Sequence, residues 1–252
     1  MRQISHNNDL FRKLKSKVFR KFSKESPVDP KGLTVSYRTD IASVSKFHRN
    51  IIEQCFPEDD TGTVAELMAD VEAEDCAILL VEEGKNILGG VVVEHYWSTG
   101  RKVMLVVWLG VDENHRGRNI GTLLIEEAMS YARVNGASVL LAQVKNPDMS
   151  AEVASAYGDP LRRVQFYSRF GCKRMEVPCY IPAFTEDQEP VVGTMLTLFP
   201  LSAEQDDATE ICLPELAVFV DEYVGQDAGK ESRDFVEACK GTVALTSFRT
   251  LF

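Results

Sequence analysis

The chain has 252 residues, with 38 Asp and Glu against 28 Lys and Arg, a formal net charge of −10, and an apolar share of 44%. That mixture is globular rather than disordered. Its longest apolar run, the nine residues from Val103 to Val111, falls short of the about 20 needed for a membrane-spanning helix. Six scattered cysteines without a C-x-x-C pair, beside four histidines, exclude a zinc-ribbon or zinc-finger framework and leave no metal site to expect. With no signal-like N-terminus, a reducing, cytoplasmic compartment is the expectation.

Charge is unevenly spread. Residues 1–30 hold eight Lys and Arg against three acids, which leaves the remainder at −15. Such an acidic body repels phosphate backbones, so nucleic acid is not expected as a partner. Residues 10–22 read as an amphipathic helix: Leu10, Phe11, Leu14, Val18 and Phe22 make a stripe flanked by Lys13, Lys17, Arg20 and Lys21. Residues 10–24 are either an anchor for an anionic membrane or protein surface, or a solvated extension. Pro27 and Pro30 break the helix, and a domain begins near Leu33.

From Leu33 strands and helices alternate. Thr34–Arg38 predicts a strand. Asp40 then caps a helix with the stripe Ile41, Val44, Phe47, Ile51, Ile52 and Cys55, ended by Pro57. A helix over 62–73 follows. Cys76–Glu82 and Ile87–Tyr96 are β-rich runs joined through Glu83-Gly84-Lys85-Asn86, and Lys102–Val111 adds a third strand after Ser98-Thr99-Gly100. Gly121–Val134 is a helix stopped at Asn135-Gly136, and Ser138–Val144 a buried strand. A helix over Leu161–Phe170 ends at Gly171. Strands follow near Arg174–Tyr180 and Gly193–Phe199, then an acidic loop over Glu204–Glu210. A final helix begins at Pro214, with Leu216, Phe219, Val220 and Tyr223 on one face. Three hairpin-linked strands set this pattern apart from a purely doubly wound fold.

The chemistry-bearing segment lies between a strand ending at Val111 and a helix beginning by Gly121. In Arg116-Gly117-Arg118-Asn119-Ile120-Gly121, small or αL-tolerant residues at 117, 119 and 121 let backbone N–H groups converge at a helix start. With the positive end of the helix dipole, this is a site for a pyrophosphate. An ordinary turn is the competing reading. There is no G-x-x-x-x-G-K-S/T motif, and the loop follows a meander rather than opening a Rossmann unit.

Arg116 to Gly121 resembles the R/Q-x-x-G-x-G/A loop of the GNAT superfamily of acetyl-CoA-dependent N-acyltransferases, and Val111 to Gly117 resembles the V-x-P-x-Y-R-G approach to it. Asn119 stands where the family usually has Gly; Asn is the next residue most tolerant of αL geometry. Leu161 to Cys172 is similar to the family's later fYer-GF segment. Together the resemblance spans about residues 33–199.

The resemblance implies an α/β (α+β) fold with a mixed, mainly antiparallel, splayed central sheet flanked by helices. With the residue pattern on either side of it, the expected division is a basic amphipathic N-terminal extension (1–32), an acetyltransferase domain (33–200) and a C-terminal helical extension packed on the same domain (201–252). The implied activity is transfer of acetyl from acetyl-CoA directly to an amine acceptor, a small molecule or a protein amine, with no covalent acyl-enzyme. The alternative is a non-catalytic acyl-CoA-binding module. Leu109, Gly110 and Val111 would meet the pantetheine and thioester, residues 116–121 (Arg116, Gly117, Arg118, Asn119, Ile120 and Gly121) the pyrophosphate, and Asn146 the cofactor further along. Tyr167 would protonate the departing thiolate, or else be a core or contact aromatic.

For the base, Glu94 and His95 end a central strand where the family places a carboxylate; a surface acid and a polar strand residue are the plainer readings. Gln143 faces either substrate or outward, and Arg162 and Arg163 either an acidic substrate or local carboxylates. The oligomeric state expected is a monomer or homodimer.

Overall fold

The computed structural model describes residues 32–98, 101–147, 159–179, 193–212, 214, 216, 219–220 and 230–248. The basic arm, its amphipathic stripe, Tyr180 and Tyr223 lie outside the described residues. The fold is mixed α/β, with mainly antiparallel strands flanked by helices. Contacts divide the described residues into two compact units: those of 32–95 with 104–136, and those of 96–103 with 137–248.

The first unit contains β1 (Thr34–Tyr37), β2 (Cys76–Glu83) and most of β3 (Asn86–Ser98) and β4 (Arg101–Val111). Its strands run in the order β1-β2-β3-β4. β2 pairs antiparallel with β1, Val35 opposite Val81, and with β3, Cys76 opposite Glu94 and Leu80 opposite Gly90. The Glu83–Asn86 hairpin is the one the turn residues predict.

β2 is buried continuously from Cys76 to Val81 because helices cover it. Ile78 and Leu80 join Val44, Phe47, Ile51, Ile52, Leu67 and Val71 in one apolar cluster. The alternate residues point the opposite way, and β2 also packs against the helix Ile120–Val134. Among the described residues, burying that many branched side chains is the main stabilising term of this unit.

Helix α1 (Ile41–Phe47) starts where Asp40 accepts from the Ser43 N–H at 2.9 Å, a bond that holds the Asp40 carboxyl below its usual range. It continues through a π-helical turn, His48–Ile52, into Glu53–Cys55. Ile41 is not part of the apolar face: it opens the first turn, has no preceding turn to pack on, and is 56% exposed. A short helix α2 (Glu58–Thr61) precedes α3 (Val64–Glu72), which begins with a reciprocal capping box between Thr63 and Glu66.

Gly90 has a packing reason to be glycine, because a Cβ there would sit 2.5 Å from the Phe47 ring. Helix α4 (Ile120–Val134) buries Leu124, Ile125, Ala128, Met129, Tyr131 and Ala132, and stops at Asn135 and Gly136, the latter at φ +68°.

The second unit holds β5 (Ala137–Lys145), α5 (Pro160–Ser168), β6 (Lys173–Met175), β7 (Thr194–Phe199), α6 (Ala203–Asp207), β8 (Glu210–Cys212), α7 (Lys230–Cys239) and β9 (Thr242–Ser247). Its strands lie in the order β5-β7-β6-β9-β8, each neighbour antiparallel. The strand expected over Arg174–Tyr180 is three residues long at Lys173–Met175, with Val177 turned back by an N–H bond to the Met175 carbonyl.

Two features depart further from the sequence pattern. Residues 204–210 are not simply a loop, since α6 forms there under a Ser202 cap and β8 begins at Glu210. Beyond residue 201 the chain also supplies β8 and β9, whose three-residue and six-residue lengths give little periodic signal. Leu216, Phe219 and Val220 are buried as the expected stripe requires, with Phe219 edge-on to Tyr96 at 4.8 Å.

The Lys173 ammonium, at 6% exposure, donates to the carbonyls of Gln205, Asp206 and Ala208 at 2.9, 2.5 and 2.6 Å. It closes the end of α6 with all three of its protons.

Candidate active site

The first unit carries the loop. At the end of β4, Asp112 donates its N–H to the Leu88 carbonyl at 2.9 Å, while its side chain accepts from the Asn114 N–H at 2.8 Å. That bond lowers the Asp112 pKa and sets a 3₁₀ turn, Glu113–His115. His115 Nδ1 lies 3.4 Å from the Asp112 carboxylate.

Arg116 is extended, Gly117 is at φ +79° and Asn119 at φ +65°, ψ +15°, so left-handed residues flank Arg118. Asn119 therefore takes the conformation that a glycine would take, and it supplies no side-chain cap to α4. Its carbonyl accepts the first helical bond, from Leu123 at 3.1 Å. A Cβ on Gly117 would meet nothing within 4 Å. Open space beside Gly117, at a helix start its own Ncap side chain leaves uncapped, fits an anionic phosphate.

Behind the loop the backbone is tightly packed. A Cβ on Gly89 would sit 2.8 Å from the Gly110 carbonyl oxygen, and one on Gly110 would sit 2.6 Å from Ile51. Leu109 and Val111 are half-buried and Gly110 is buried. Arg116 and Gly117 are exposed, Ile120 is buried and Gly121 is half-buried. Arg118 donates from Nη2 to Glu83 Oε1 at 2.6 Å and from Nη1 to Oε2 at 3.4 Å. Glu83 carries no motif; an acid beside a hairpin glycine is the only trace of it in the sequence.

Glu94 is half-buried, opposite Cys76 in the β2–β3 pairing. His95 is 6% exposed. Its Nδ1–H donates to the Glu74 carbonyl at 2.9 Å, so Nε2 accepts from the Tyr131 hydroxyl at 3.2 Å, with the two rings stacked at 5.7 Å. With both nitrogens engaged, His95 is a core histidine, which leaves Glu94 as the base candidate of the pair.

The second unit carries the other candidates. Asp159 caps α5 by accepting from the Leu161 N–H at 2.9 Å, and Pro160 takes the first helical position. One apolar face of α5 buries Val164 and Tyr167. The Tyr167 ring is 4% exposed and stands edge-on to Phe199 at 5.0 Å. Burial pushes its hydroxyl up to about 12, so the phenol stays protonated at neutral pH.

Asn146 is buried just beyond β5, and its N–H donates to the Gly193 carbonyl at 2.8 Å. Gln143 donates from Nε2 to Cys179 Sγ at 3.0 Å and to Thr194 Oγ1 at 3.4 Å, so it is engaged within its own unit. Arg162 is 86% exposed and pairs weakly with Asp159 at 3.7 Å, the local-carboxylate use. The first unit thus brings together the loop and the end of β4, and the second holds Asn146 and Tyr167.

Burial raises the thiol pKa of Cys172 and Cys239 to about 12 and of Cys179 to about 11, and raises Cys76 further. Among the described residues no group of three or more His, Cys, Asp or Glu side chains could hold a metal ion. No helix among them is long and apolar enough to cross a membrane.

The mainly antiparallel sheet flanked by helices, with a glycine-bearing turn ahead of α4, is the fold of an acetyltransferase. The model of the acetyltransferase (GNAT) family matches residues 46–171. The chain belongs to that family.

Among solved structures, a GNAT-family protein from Bacteroides thetaiotaomicron matches with a TM-score of 0.54 at 15% identity, covering 75% of this chain and 99% of its own. A GNAT-family protein from Desulfovibrio desulfuricans matches at TM-score 0.49 and 17% identity over 68% of this chain and 99% of that one. The ribosomal-protein-S18-alanine N-acetyltransferase of Escherichia coli matches at TM-score 0.46 and 14% identity over 68% and 94%. Comparison with curated proteins finds no match.

Proposed function

We propose that this acetyltransferase moves the acetyl group of acetyl-CoA directly onto a primary amine, of a small molecule or a protein, without an acyl-enzyme. The observation that carries the reading is the 116–121 loop, where Gly117 and Asn119 both adopt positive φ ahead of α4. In this reading the amides of 117–121 and Arg116 hold the pyrophosphate, Leu109 to Val111 the pantetheine and thioester, and Asn146 the cofactor beyond β5. The cosubstrate supplies an activated acetyl thioester.

The chain then has two proton tasks. Glu94 accepts the proton that the amine must lose before it can attack. The Tyr167 hydroxyl, still protonated because burial raises it, gives a proton to the leaving sulfur. Buried, protonated thiols at Cys76, Cys172 and Cys239 are poor nucleophiles, which favours direct transfer. The basic arm of residues 1–32 has no task in this chemistry, which is carried out in a cytoplasmic protein acting as a monomer or homodimer.

The test is release of thiol from acetyl-CoA across a panel of amines, with acetylated product identified by mass. Turnover on at least one amine is expected. Tight CoA binding with no turnover on any amine would instead make the protein a binding module.

A further inference from the structure

Arg118 projects from the centre of the loop, between the two left-handed residues, yet its guanidinium is turned to a carboxylate of another element. Its two terminal nitrogens meet both oxygens of Glu83, at 2.6 and 3.4 Å. The pairing holds Glu83 below its ordinary range and Arg118 above its own.

Glu83 is the last residue of β2, paired with Asn86 across the hairpin, so its backbone is held in the sheet. The side chains of Arg118 and Glu83 are 33% and 42% exposed. A pair that wet is cheap to open, because water compensates each partner. The Asp112 carboxylate adds negative charge at the start of the same loop, 3.4 Å from His115 Nδ1. The loop therefore meets an arriving anion with part of its positive charge already neutralised.

We propose that Glu83 is a displaceable counterion: it holds the Arg118 guanidinium until a phosphate-bearing ligand reaches the loop, and Arg118 then moves to that phosphate. Glu83 thereby weakens binding in proportion to ligand charge and blunts the loop's preference for a densely anionic ligand. This rests on reading the 116–121 loop as the phosphate site. It assigns a regulating role to a residue outside the motif.

The experiment is calorimetric titration of the full chain and its Glu83→Gln, Glu83→Lys and Arg118→Gln variants with CoA, dephospho-CoA and pantetheine, at two salt concentrations. Glu83→Gln removes a carboxylate worth no more than an exposed pair. It should tighten CoA binding by about 2- to 5-fold. Glu83→Lys should tighten it more, and both gains should shrink at high salt. Pantetheine, with no phosphate, should show no change. In an Arg118→Gln background the gain from Glu83→Gln should be smaller.

Unchanged or weaker CoA binding by Glu83→Gln, in a protein that melts like the parent, would overturn the counterion role while leaving the phosphate site intact. CoA binding no tighter than pantetheine binding in the parent would overturn the site reading itself.

Discussion

The loop of residues 112–121 and the helix carrying Tyr167 solve the problem of placing a polar group in opposite ways. In the loop the proposed phosphate contacts come from the backbone. Gly117 and Asn119 are exposed, a Cβ on Gly117 meets nothing, and what matters is that both adopt φ near +70°. At Tyr167 the backbone is ordinary helix. There a hydroxyl is placed by a ring packed against Phe199 and Phe166. A site built from amides tolerates many side chains and fails when φ or local charge is wrong. A site built from one side chain depends on the fit of its whole surroundings.

Introducing charge into the amide site should have the largest effect. Acetyl-CoA at about 100-fold over its Kd should stabilise the parent by about 2.7 kcal/mol, a rise of about 5–10 °C in a chain of this length. Gly121→Asp, which sets a carboxylate against the phosphates, should abolish that rise while leaving the unliganded melting temperature near the parent value. A retained shift in differential scanning fluorimetry would place the phosphates elsewhere.

Tyr167→Phe should do the reverse. The ring and its Phe199 contact persist, so the ligand-induced shift should survive, while turnover falls by about 10²-fold. Loss of CoA affinity with turnover preserved at saturation would make Tyr167 a binding residue.

The same hydroxyl sharpens the contrast through pH. Its folded pKa, about 12, lies above the unfolded value near 10. The stabilisation is complete below pH about 10 and is lost as pH rises from there towards 12, because the unfolded chain releases its proton first. Tyr37, also raised to about 12, contributes to the same loss. Tyr167→Phe should therefore flatten, without abolishing, the fall in urea midpoint between pH 10 and 12. An unaltered slope would mean the hydroxyl is not buried as described.

Glycines separate the two kinds of constraint within the first unit. Gly90→Ala must displace both Phe47 and Leu80, whose atoms would lie at 2.5 and 2.6 Å from the new Cβ. It should cost about 1–3 kcal/mol in chemical denaturation. Asn119→Gly relieves a mildly unfavourable φ without touching any packing. It should change stability by less than about 1 kcal/mol in either direction and keep the CoA-induced shift. A loss of the shift would mean that the Asn119 side chain takes part in binding.

The loop was legible because its geometry is local. Gly117 and Asn119 tolerate positive φ whatever surrounds them, and a helix starting just after them follows from the apolar spacing of Leu124, Ile125, Ala128 and Ala132. The hairpin at Glu83–Asn86, the stop at Gly136 and the cap at Asp40 were readable for the same reason. The chain itself thus determined turns, caps and the buried faces of long elements.

Where an outcome depended on a distant partner, only the tertiary structure decided it. His95 and Glu94 are adjacent and equally polar in the sequence. Tyr131 and the Glu74 carbonyl, brought to the end of β3, turn His95 into core and leave Glu94 half-buried. Arg118 looks like a free phosphate ligand until the β2–β3 hairpin delivers Glu83, 35 positions away. β8 and β9 are too short to announce themselves; they exist because β6 and each other satisfy their backbone groups. Backbone conformation is a property of a few consecutive residues, whereas the pairing of a side chain or a short strand belongs to whatever the fold places opposite it.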